Sequence, residues 1–237
     1  MLPNGPTFDR WFRRGLIFAA GRAWTPLYFR LLNTIRAEGT DVLLNLPRKG
    51  VIFLSNHQTY FTEAIAFYDL VYIRLGLPYE DPLLRFSAAE ETMKANLVTE
   101  VLTKAGGVTF RRSFRAAGQD VNRPVDLEGV ARLESAIAEG WLLHFPAGTT
   151  QRNAPIRPGM AQLLHRTKAL AVPVRVDGFK DLLLHKQIPG KLFKKASIRV
   201  FPPLELSEFY ERPFEKERGR KVIEELGALI NDPPEAA

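Results

Sequence analysis

Short apolar runs alternate along the chain with longer stretches whose apolar residues recur at helical spacing. The apolar runs predict strands at residues 41–46, 50–54, 84–88, 141–145, 171–176 and 197–201. The stretches with helical spacing predict helices at residues 62–76, 94–105, 126–139, 158–169 and 214–231. Strands that alternate with helices predict an α/β domain with a mixed, largely parallel sheet flanked by helices.

The first 38 residues follow another pattern, in which apolar and basic residues lie on opposite faces of two predicted helices separated by Pro26. The apolar faces hold Phe8, Trp11, Phe12, Leu16, Phe18 and Ala19, and then Tyr28, Leu31, Leu32 and Ile35; the basic faces hold Arg10, Arg13, Arg14, Arg30 and Arg36. Such helices suit the interface of an anionic membrane, although the same apolar faces can instead cover the core of the protein. We therefore predict an amphipathic two-helix membrane-docking segment at 1–38, followed by an α/β domain at 39–237.

Composition narrows the range of partners and chemistries. The formal net charge of +7 and the pI near 9.7 favour anionic partners such as lipid headgroups, phosphorylated metabolites or nucleic acid. No nucleic-acid-binding motif is present, so we expect no nucleic-acid partner. The chain has no cysteine, which excludes a thiol nucleophile, and its four histidines are too scattered to predict a metal site. No apolar run reaches the ~18 residues of a membrane-crossing helix.

One histidine stands where a predicted strand gives way to a helix. His57 follows the apolar run 51–54, and its unperturbed pKa of ~6.5 suits a general base at cellular pH. Glu63 is the nearest carboxylate in the sequence, and within hydrogen-bonding reach it would orient the imidazole and stabilise the imidazolium. A structural histidine is the alternative.

Two further loops carry groups that suit phosphate. Arg111 and Arg112 follow the Gly106-Gly107 turn, and an arginine can hold phosphate through two hydrogen bonds. The loop after residue 145 carries Gly148, Thr149, Thr150 and Arg152, which offer close backbone approach, hydroxyl groups and a positive charge. Ligands of α/β sheets collect at the carboxyl ends of strands, so these loops are candidate binding sites, with solvated surface as the alternative.

Taken in order, these loops resemble a known family. Four segments resemble the four ordered motifs of the glycerolipid acyltransferases. They are Asn56-His57, the Gly-Gly-Val-Thr-Phe-Arg-Arg block ending at Arg112, the Phe-Pro-Ala-Gly-Thr block ending at Thr149, and residues 172–178. That family includes the bacterial 1-acyl-glycerol-3-phosphate acyltransferases. The resemblance covers roughly residues 50–180, and the basic N-terminal helices resemble the family's membrane-docking helices.

The resemblance implies an enzyme of phospholipid biosynthesis that is peripheral or monotopic at the cytoplasmic face of a membrane. It would transfer a fatty acyl group from acyl-CoA or acyl-carrier protein to a hydroxyl of a lysophospholipid, with no cofactor and no covalent intermediate. His57 falls on the family's general base, Arg112 on its phosphate-binding arginine, and Gly148 and Thr149 on its third ligand-binding motif.

The chain departs from the family pattern at two places. The aspartate expected after His57 is replaced by Thr62, and the nearest acid, Glu63, comes one residue later. In the third motif, Ala147 replaces the usual glutamate, and the expected arginine is Thr150, with Arg152 two residues beyond. The sequence therefore leaves open which residue supports His57, which headgroup is accepted and which thioester donates. A catalytically idle, lipid-binding peripheral membrane relative is the alternative.

Overall fold

The computed structural model describes most of the chain. The described residues are 11, 14–15, 17–59, 61–79, 83–94, 97–113, 115–116, 119–120, 123–182 and 192–231. The strands are β1 (Thr34–Glu38), β2 (Val51–Ser55), β3 (Leu84–Ala89), β4 (Gly107–Phe110), β5 (Arg115–Ala116), β6 (Gln119–Asp120), β7 (Trp141–His144), β8 (Leu170–Asp177) and β9 (Lys195–Val200). The helices are α1 (Thr40–Asn45), α2 (Thr62–Tyr68), α3 (Glu90–Met93), α4 (Leu97–Lys104), α5 (Leu127–Glu139), α6 (Gly159–Thr167), α7 (Phe179–Leu182), α8 (Ser207–Glu211) and α9 (Lys216–Ile230).

A seven-stranded mixed sheet forms the centre of the fold. Its strand order is β1-β9-β8-β2-β7-β3-β4, while β5 and β6 form a separate antiparallel ribbon. The five strands from β8 to β4 are parallel, whereas β9 is antiparallel to β8 and parallel to β1. The predicted mixed, largely parallel α/β architecture is therefore confirmed.

The central strand β2 explains why the sequence shows continuous apolar runs. It lies between β8 and β7 and is buried along its whole length. Val51 and Phe53 face one core layer with α2, while Ile52 and Leu54 face the other layer with α5, α6 and α9. A strand covered by helices on both faces needs apolar residues at every position rather than at alternate ones.

The parallel strands bring three loops to one edge of the sheet. The carboxyl ends of β2, β4 and β7 lead to His57, to Arg112 and to the segment 145–148, respectively. The three candidate loops found in the sequence therefore lie along the same edge.

Two predictions for the start of the chain are wrong. Residues 41–46 do not form a strand, because Thr40–Asn45 is helix α1, which buries Leu43 and exposes Leu44. The second N-terminal helix does not extend to residue 38, because Thr34–Glu38 pairs with β9 as an edge strand that buries Ile35. Gly39 makes the connection at φ +68°, where a Cβ atom would lie 2.0 Å from the carbonyl oxygen of Val200.

The described part of the N-terminal segment is helical between residues 17 and 31, with π-helical turns at Ala20–Trp24 and Leu27–Leu31. It packs on the domain through Tyr28 and Phe29, which are buried, and the Tyr28 hydroxyl donates to the carbonyl oxygen of Leu182 at 2.6 Å. Trp11 and Phe18 are exposed. The predicted face residues Phe8, Phe12 and Leu16, with Arg10 and Arg13, lie outside the described residues.

A buried carboxylate joins this segment to the domain. Asp69 lies in the π-helical continuation of α2 (Asp69–Arg74), where it accepts hydrogen bonds from the Thr25 hydroxyl at 2.6 Å, from Arg30 at 3.1 Å and from Arg74 at 2.9 Å. Two guanidinium groups and a hydroxyl together compensate the burial of this charge.

Within the described residues, no helix is both long enough and apolar enough to cross a bilayer.

Candidate active site

The turn between β2 and α2 is organised around the buried carboxylate of Glu63. Its Oε1 accepts hydrogen bonds from the backbone N–H groups of Gln58 and Thr59, both at 2.6 Å. Its Oε2 accepts a hydrogen bond from the Thr59 hydroxyl. Burial raises the pKa of the Glu63 carboxyl, but the neighbouring His57 imidazole and the hydrogen bonds from Thr59 outweigh burial, so the pKa lies below its ordinary value. Glu63 is therefore an ionised group fixed in the wall of the turn.

His57 lies beside this carboxylate. Its Nδ1 atom is buried 3.6 Å from Glu63 Oε1, which is an ion-pair distance but too long for a hydrogen bond. The imidazole stacks on the Phe145 ring with centroids 4.1 Å apart, and 15% of the His57 side chain stays exposed. The structure thus brings His57 and Glu63 together despite the shifted position of the acid in the sequence. Thr62 instead begins α2, where its backbone N–H donates to the Thr59 hydroxyl at 3.1 Å.

The residues on either side of His57 are fixed to the neighbouring strand β8. The Asn56 side chain donates to the carbonyl oxygen of Val176 at 2.9 Å and accepts from its N–H at 2.7 Å. The Gln58 side chain donates to the same carbonyl oxygen at 3.0 Å and accepts from the N–H of Phe179 at 2.9 Å. Three of these four hydrogen bonds attach the His57 turn to β8 in the fourth motif, and the fourth attaches it to the start of α7.

The two arginines of the second motif point in different directions. Arg112 donates from a terminal guanidinium nitrogen to the carbonyl oxygen of Gly148 at 2.9 Å, so it joins the second motif to the third. The Arg111 side chain is largely exposed and faces Glu90 and Asp126, at 3.8 and 3.9 Å. Because those carboxylates offset its charge, Arg112 is the better placed of the two to meet a phosphate group.

The third loop turns tightly between His57 and Arg112. Gly148 adopts φ +66°, a left-handed conformation that favours glycine, and its N–H donates to the carbonyl oxygen of Phe145 at 3.0 Å. Thr149 and Thr150 are half-buried, and the Thr149 hydroxyl accepts a hydrogen bond from the N–H of Gln151 at 3.3 Å. Arg152 is exposed further along the loop. His57 and Arg112 therefore contact opposite ends of one four-residue turn.

An apolar cavity of about 170 Å³ begins beside the Glu63 segment. It lies between the N-terminal segment, α2, β3 and α4, and its lining includes Ile17, Trp24, Phe61, Ala64, Tyr68 and Ala105. Phe61 and Ala64 flank the first turn of α2, which carries Glu63, so the cavity and the carboxylate that faces His57 share one structural element.

Two other residues of the sequence motifs have structural partners. Arg175, in the fourth motif, donates two hydrogen bonds to the carbonyl oxygen of Leu229 at 2.9 and 2.7 Å, which caps the end of α9. His144 lies in β7 with Nδ1 2.8 Å from the Ser87 hydroxyl oxygen, and burial lowers its pKa to about 4. A histidine that stays neutral and hydrogen-bonded within the sheet has a structural role.

Sequence reasoning missed the positioning of His57. Gln58 is not singled out in the sequence, where Asn56 and Phe145 stand only as parts of motifs. Nothing in their own sequence context indicates a hydrogen bond to residue 176 or a ring stacked on an imidazole. Each of these contacts depends on a partner brought close by the sheet, far away along the chain.

Comparisons with known proteins concern the family and the fold of the chain. A family model described as Acyltransferase matches residues 35–177, which is more than half of the chain. Among solved structures, the chain is similar to the crystal structure of the 1-acyl-sn-glycerophosphate (LPA) acyltransferase PlsC from Thermotoga maritima, with a TM-score of 0.55 and 17% identity over 96% of this chain and 83% of that one. At that identity the likeness concerns the fold. No curated protein matches the chain.

Proposed function

We propose that this chain, which belongs to the acyltransferase family, transfers a fatty acyl group from a thioester to a hydroxyl of a lysophospholipid. The observation that carries the proposal is the exposed edge of His57, held against the buried carboxylate of Glu63 and one turn away from Arg112. These residues supply a base, a group that stabilises its protonated form, and a cation for a phosphorylated acceptor.

His57 acts as the general base on the acceptor hydroxyl. Nδ1 faces Glu63, so Nε2 is the nitrogen that takes the hydroxyl proton. The acceptor oxygen forms a bond to the thioester carbonyl carbon. The carbon–sulfur bond then breaks, and the imidazolium returns its proton to the leaving thiolate, which departs as a thiol. The products are an ester and a free thiol, and no residue of the protein is acylated.

Glu63 stabilises the imidazolium during this step. A short N–H···O contact requires Nδ1 to move about 0.6 Å closer to Oε1 than the 3.6 Å of the present structure. Contacts of this kind are often long without substrate and tighten when substrate binds. Asn56 and Gln58 hold the backbone on both sides of His57, so the contact is proposed to tighten by movement of the imidazole side chain rather than of the backbone.

Arg112 is proposed to bind the phosphate of the acceptor. Its link to the Gly148 carbonyl fixes the guanidinium near the turn that packs against His57. Gly148, Thr149 and Thr150 line the same turn, with Arg152 as an outer cation. A bidentate phosphate on Arg112 would place the free hydroxyl of a glycerophosphate backbone on the His57 side.

The apolar cavity beside α2 is proposed to take the fatty acyl chain. Its lining residues come from the N-terminal segment as well as from the domain, so a chain that enters it contacts both parts of the protein. Acyl-CoA and acyl-carrier protein are both suitable donors. The exposed Trp11 and Phe18 support membrane docking of the N-terminal segment. The proposed location is the cytoplasmic face, from which a lysolipid acceptor is drawn.

The test is acceptor-dependent release of free thiol from long-chain acyl-CoA and acyl-carrier protein, with product ester identified by mass. We expect release with 1-acyl-glycerol-3-phosphate and weaker release with lysolipids that lack a terminal phosphate. Equal rates with and without a headgroup phosphate would refute the role of Arg112. Absence of thiol release with every donor and acceptor, combined with retained vesicle binding, would favour an idle lipid-binding protein.

A further inference from the structure

Trp11 and Phe18 are not the only exposed apolar side chains among the described residues. A second group is exposed where the chain enters β1 and β9. Phe193 is 82% exposed and Leu192 is also exposed, immediately before β9. Leu27 and Leu31 are exposed on the last helical turn before β1, and Leu31 is 72% exposed. We call these four residues the β1/β9 apolar tip. The two segments adjoin through the hydrogen bond between the Phe193 N–H and the Leu32 carbonyl oxygen, and an exposed apolar patch with a polar rim is typical of a surface that binds a membrane or another protein.

The backbone holds Phe193 in this exposed position. Its φ is +58°, a left-handed conformation that a bulky aromatic residue seldom adopts. Its N–H donates to the carbonyl oxygen of Leu32 at 2.6 Å, and the N–H of Lys194 donates to the buried Asn33 side chain at 2.9 Å. Asn33 in turn donates to the carbonyl oxygen of Tyr28 at 3.1 Å. The tip is therefore built as a unit from two distant parts of the chain.

The sheet register places the tip at the same edge as the active site. β1 and β9 begin together, with Thr34 opposite Lys195. Because β9 is antiparallel to β8, its first residues pair with the last residues of β8, with Ser197 opposite Asp177. The parallel strand β2 ends at this edge too, just before His57. A surface that covers the tip therefore lies on the side of the sheet from which His57 is reached.

Exposed lysines lie next to the tip and along the same edge of the sheet, where the exposed carboxylates Asp177 and Asp181 offset only part of their charge. Lys194 and Lys195 follow Phe193 directly and are exposed, and Lys180 is exposed on α7, which follows β8 at the same edge. Apolar side chains next to lysines suit a bilayer whose headgroups are anionic, since the rings enter the acyl boundary while the ammonium groups remain among the phosphates.

We infer that the β1/β9 apolar tip is a second membrane-docking element, which inserts Phe193 and Leu31 into an anionic phospholipid surface and turns the active-site edge towards it. The inference shares with the proposed function the view that the protein works on a lipid surface. Leu31 belongs to the N-terminal segment, whereas Phe193 and the lysines lie in the α/β domain and extend the docking surface to it. An acidic protein partner is the competing occupant, and it would be attracted by the lysines without requiring the exposed ring.

The test uses Phe193→Gly, because glycine adopts this φ without strain. The variant is expected to keep or raise the midpoint of thermal unfolding. Its partition onto phosphatidylglycerol vesicles is expected to weaken about five- to tenfold, since it removes one inserted aromatic side chain. Leu31→Ala is expected to weaken partition in the same direction. Leu44→Ala is the matched control, because Leu44 is similarly exposed on α1 at the opposite edge of the sheet.

A direct readout comes from Phe193→Trp, whose fluorescence should be quenched by brominated lipid more than that of the parent. Any one of three results would overturn the inference. They are vesicle partition of Phe193→Gly equal to that of the parent, a loss of partition in Leu44→Ala as large as in Phe193→Gly, or no added quenching in Phe193→Trp. Acyl transfer to a lysolipid below its critical micelle concentration does not require vesicle binding. This assay therefore tests the proposed function independently of membrane docking. If the parent shows no turnover while Phe193→Gly loses vesicle binding, the acyltransferase proposal fails and the docking element stands.

Discussion

Replacing Glu63 by glutamine tests how His57 is supported. The change keeps the size of the side chain but removes its charge, and it replaces one acceptor oxygen with an amide that donates. In the parent, three donors from Gln58 and Thr59 converge on the carboxylate, with His57 Nδ1 3.6 Å from Oε1. The variant therefore loses the negative charge beside His57. It also places the amide NH2 group of glutamine against at least one hydrogen-bond donor of the turn.

The effect on the rate follows from the distance between the two groups. Opposite unit charges 3.6 Å apart attract by about 4–5 kcal/mol at an effective dielectric constant of ~20. Water reduces this attraction because 15% of the His57 side chain is exposed, which leaves about 2 kcal/mol for the imidazolium. We therefore expect Glu63→Gln to lower kcat by roughly 30-fold.

Steady-state thiol release should show this loss in kcat with little change in the KM for the acyl donor. Glu63→Asp is expected to behave like Glu63→Gln, because the shorter side chain moves the carboxylate further from Nδ1. Thr62→Ala is the matched control, since Thr62 contacts the turn only through its backbone N–H in the contacts described above. A parent-like kcat in Glu63→Gln, with a large loss in Thr62→Ala, would refute the reasoning.

The same substitution has a signature in stability. The pKa of folded Glu63 lies below its ordinary value of 4.5, so ionised Glu63 stabilises the fold above pH 4.5 and this stabilisation is lost as the pH falls through the folded-state pKa. The free energy of unfolding of Glu63→Gln should therefore lie below that of the parent at neutral pH, with a gap that narrows in acid. A gap that is independent of pH would contradict the ionised state assigned to Glu63.

Four other predictions concern separate parts of the molecule. Arg112→Lys should raise the KM for a phosphorylated acceptor about tenfold, because lysine lacks the planar fork, whereas Arg111→Lys should change it much less; equal effects would contradict the assignment. Asn56→Ala should lower kcat about tenfold and destabilise the fold by about 1–3 kcal/mol, measured by thiol release and urea unfolding, because two hydrogen bonds to β8 are lost. Ala105→Leu should shift donor preference towards shorter acyl chains without a large change in thermal stability, because the added carbons enter the cavity; an unchanged preference would place the chain elsewhere. The pKa of buried His144 is lowered from 6.5 to about 4, so the parent should lose about 3 kcal/mol of unfolding free energy as the pH falls from 6.5 to 4, and His144→Gln should not show that loss.

The buried strands could be predicted from sequence because burial on both faces leaves a continuous apolar run. Residues 141–144 and 170–177 are examples, and the structure confirms both predicted strands. The edge strand β1 could not be recognised in this way, since only Ile35 along it is buried. Its conformation is set by pairing with β9, more than 150 residues later. The strand prediction for residues 41–46 is wrong because the apolar run Val42-Leu43-Leu44 resembles a strand, whereas in α1 Leu43 is buried, Val42 is half-buried and Leu44 is exposed.

The candidate site was only partly readable for a similar reason. The order of the motifs indicated His57 and Arg112, but the geometry of the turn decides which acid reaches the imidazole. Thr59 and Gln58 wrap around the Glu63 carboxylate, so the acid one residue beyond the expected place still reaches Nδ1 to within 3.6 Å. The separation of Arg111 from Arg112 likewise depends on Glu90 and Asp126, which no local pattern connects with them.

The most direct test of the account is turnover by His57→Ala, measured as ester formed from labelled long-chain acyl-CoA and 1-acyl-glycerol-3-phosphate. The variant should fold, bind vesicles as the parent does and form less than about one thousandth of the parent's product, because the general base is removed. Product formation within tenfold of the parent, by a folded His57→Ala protein, would contradict the assignment of His57 as the base.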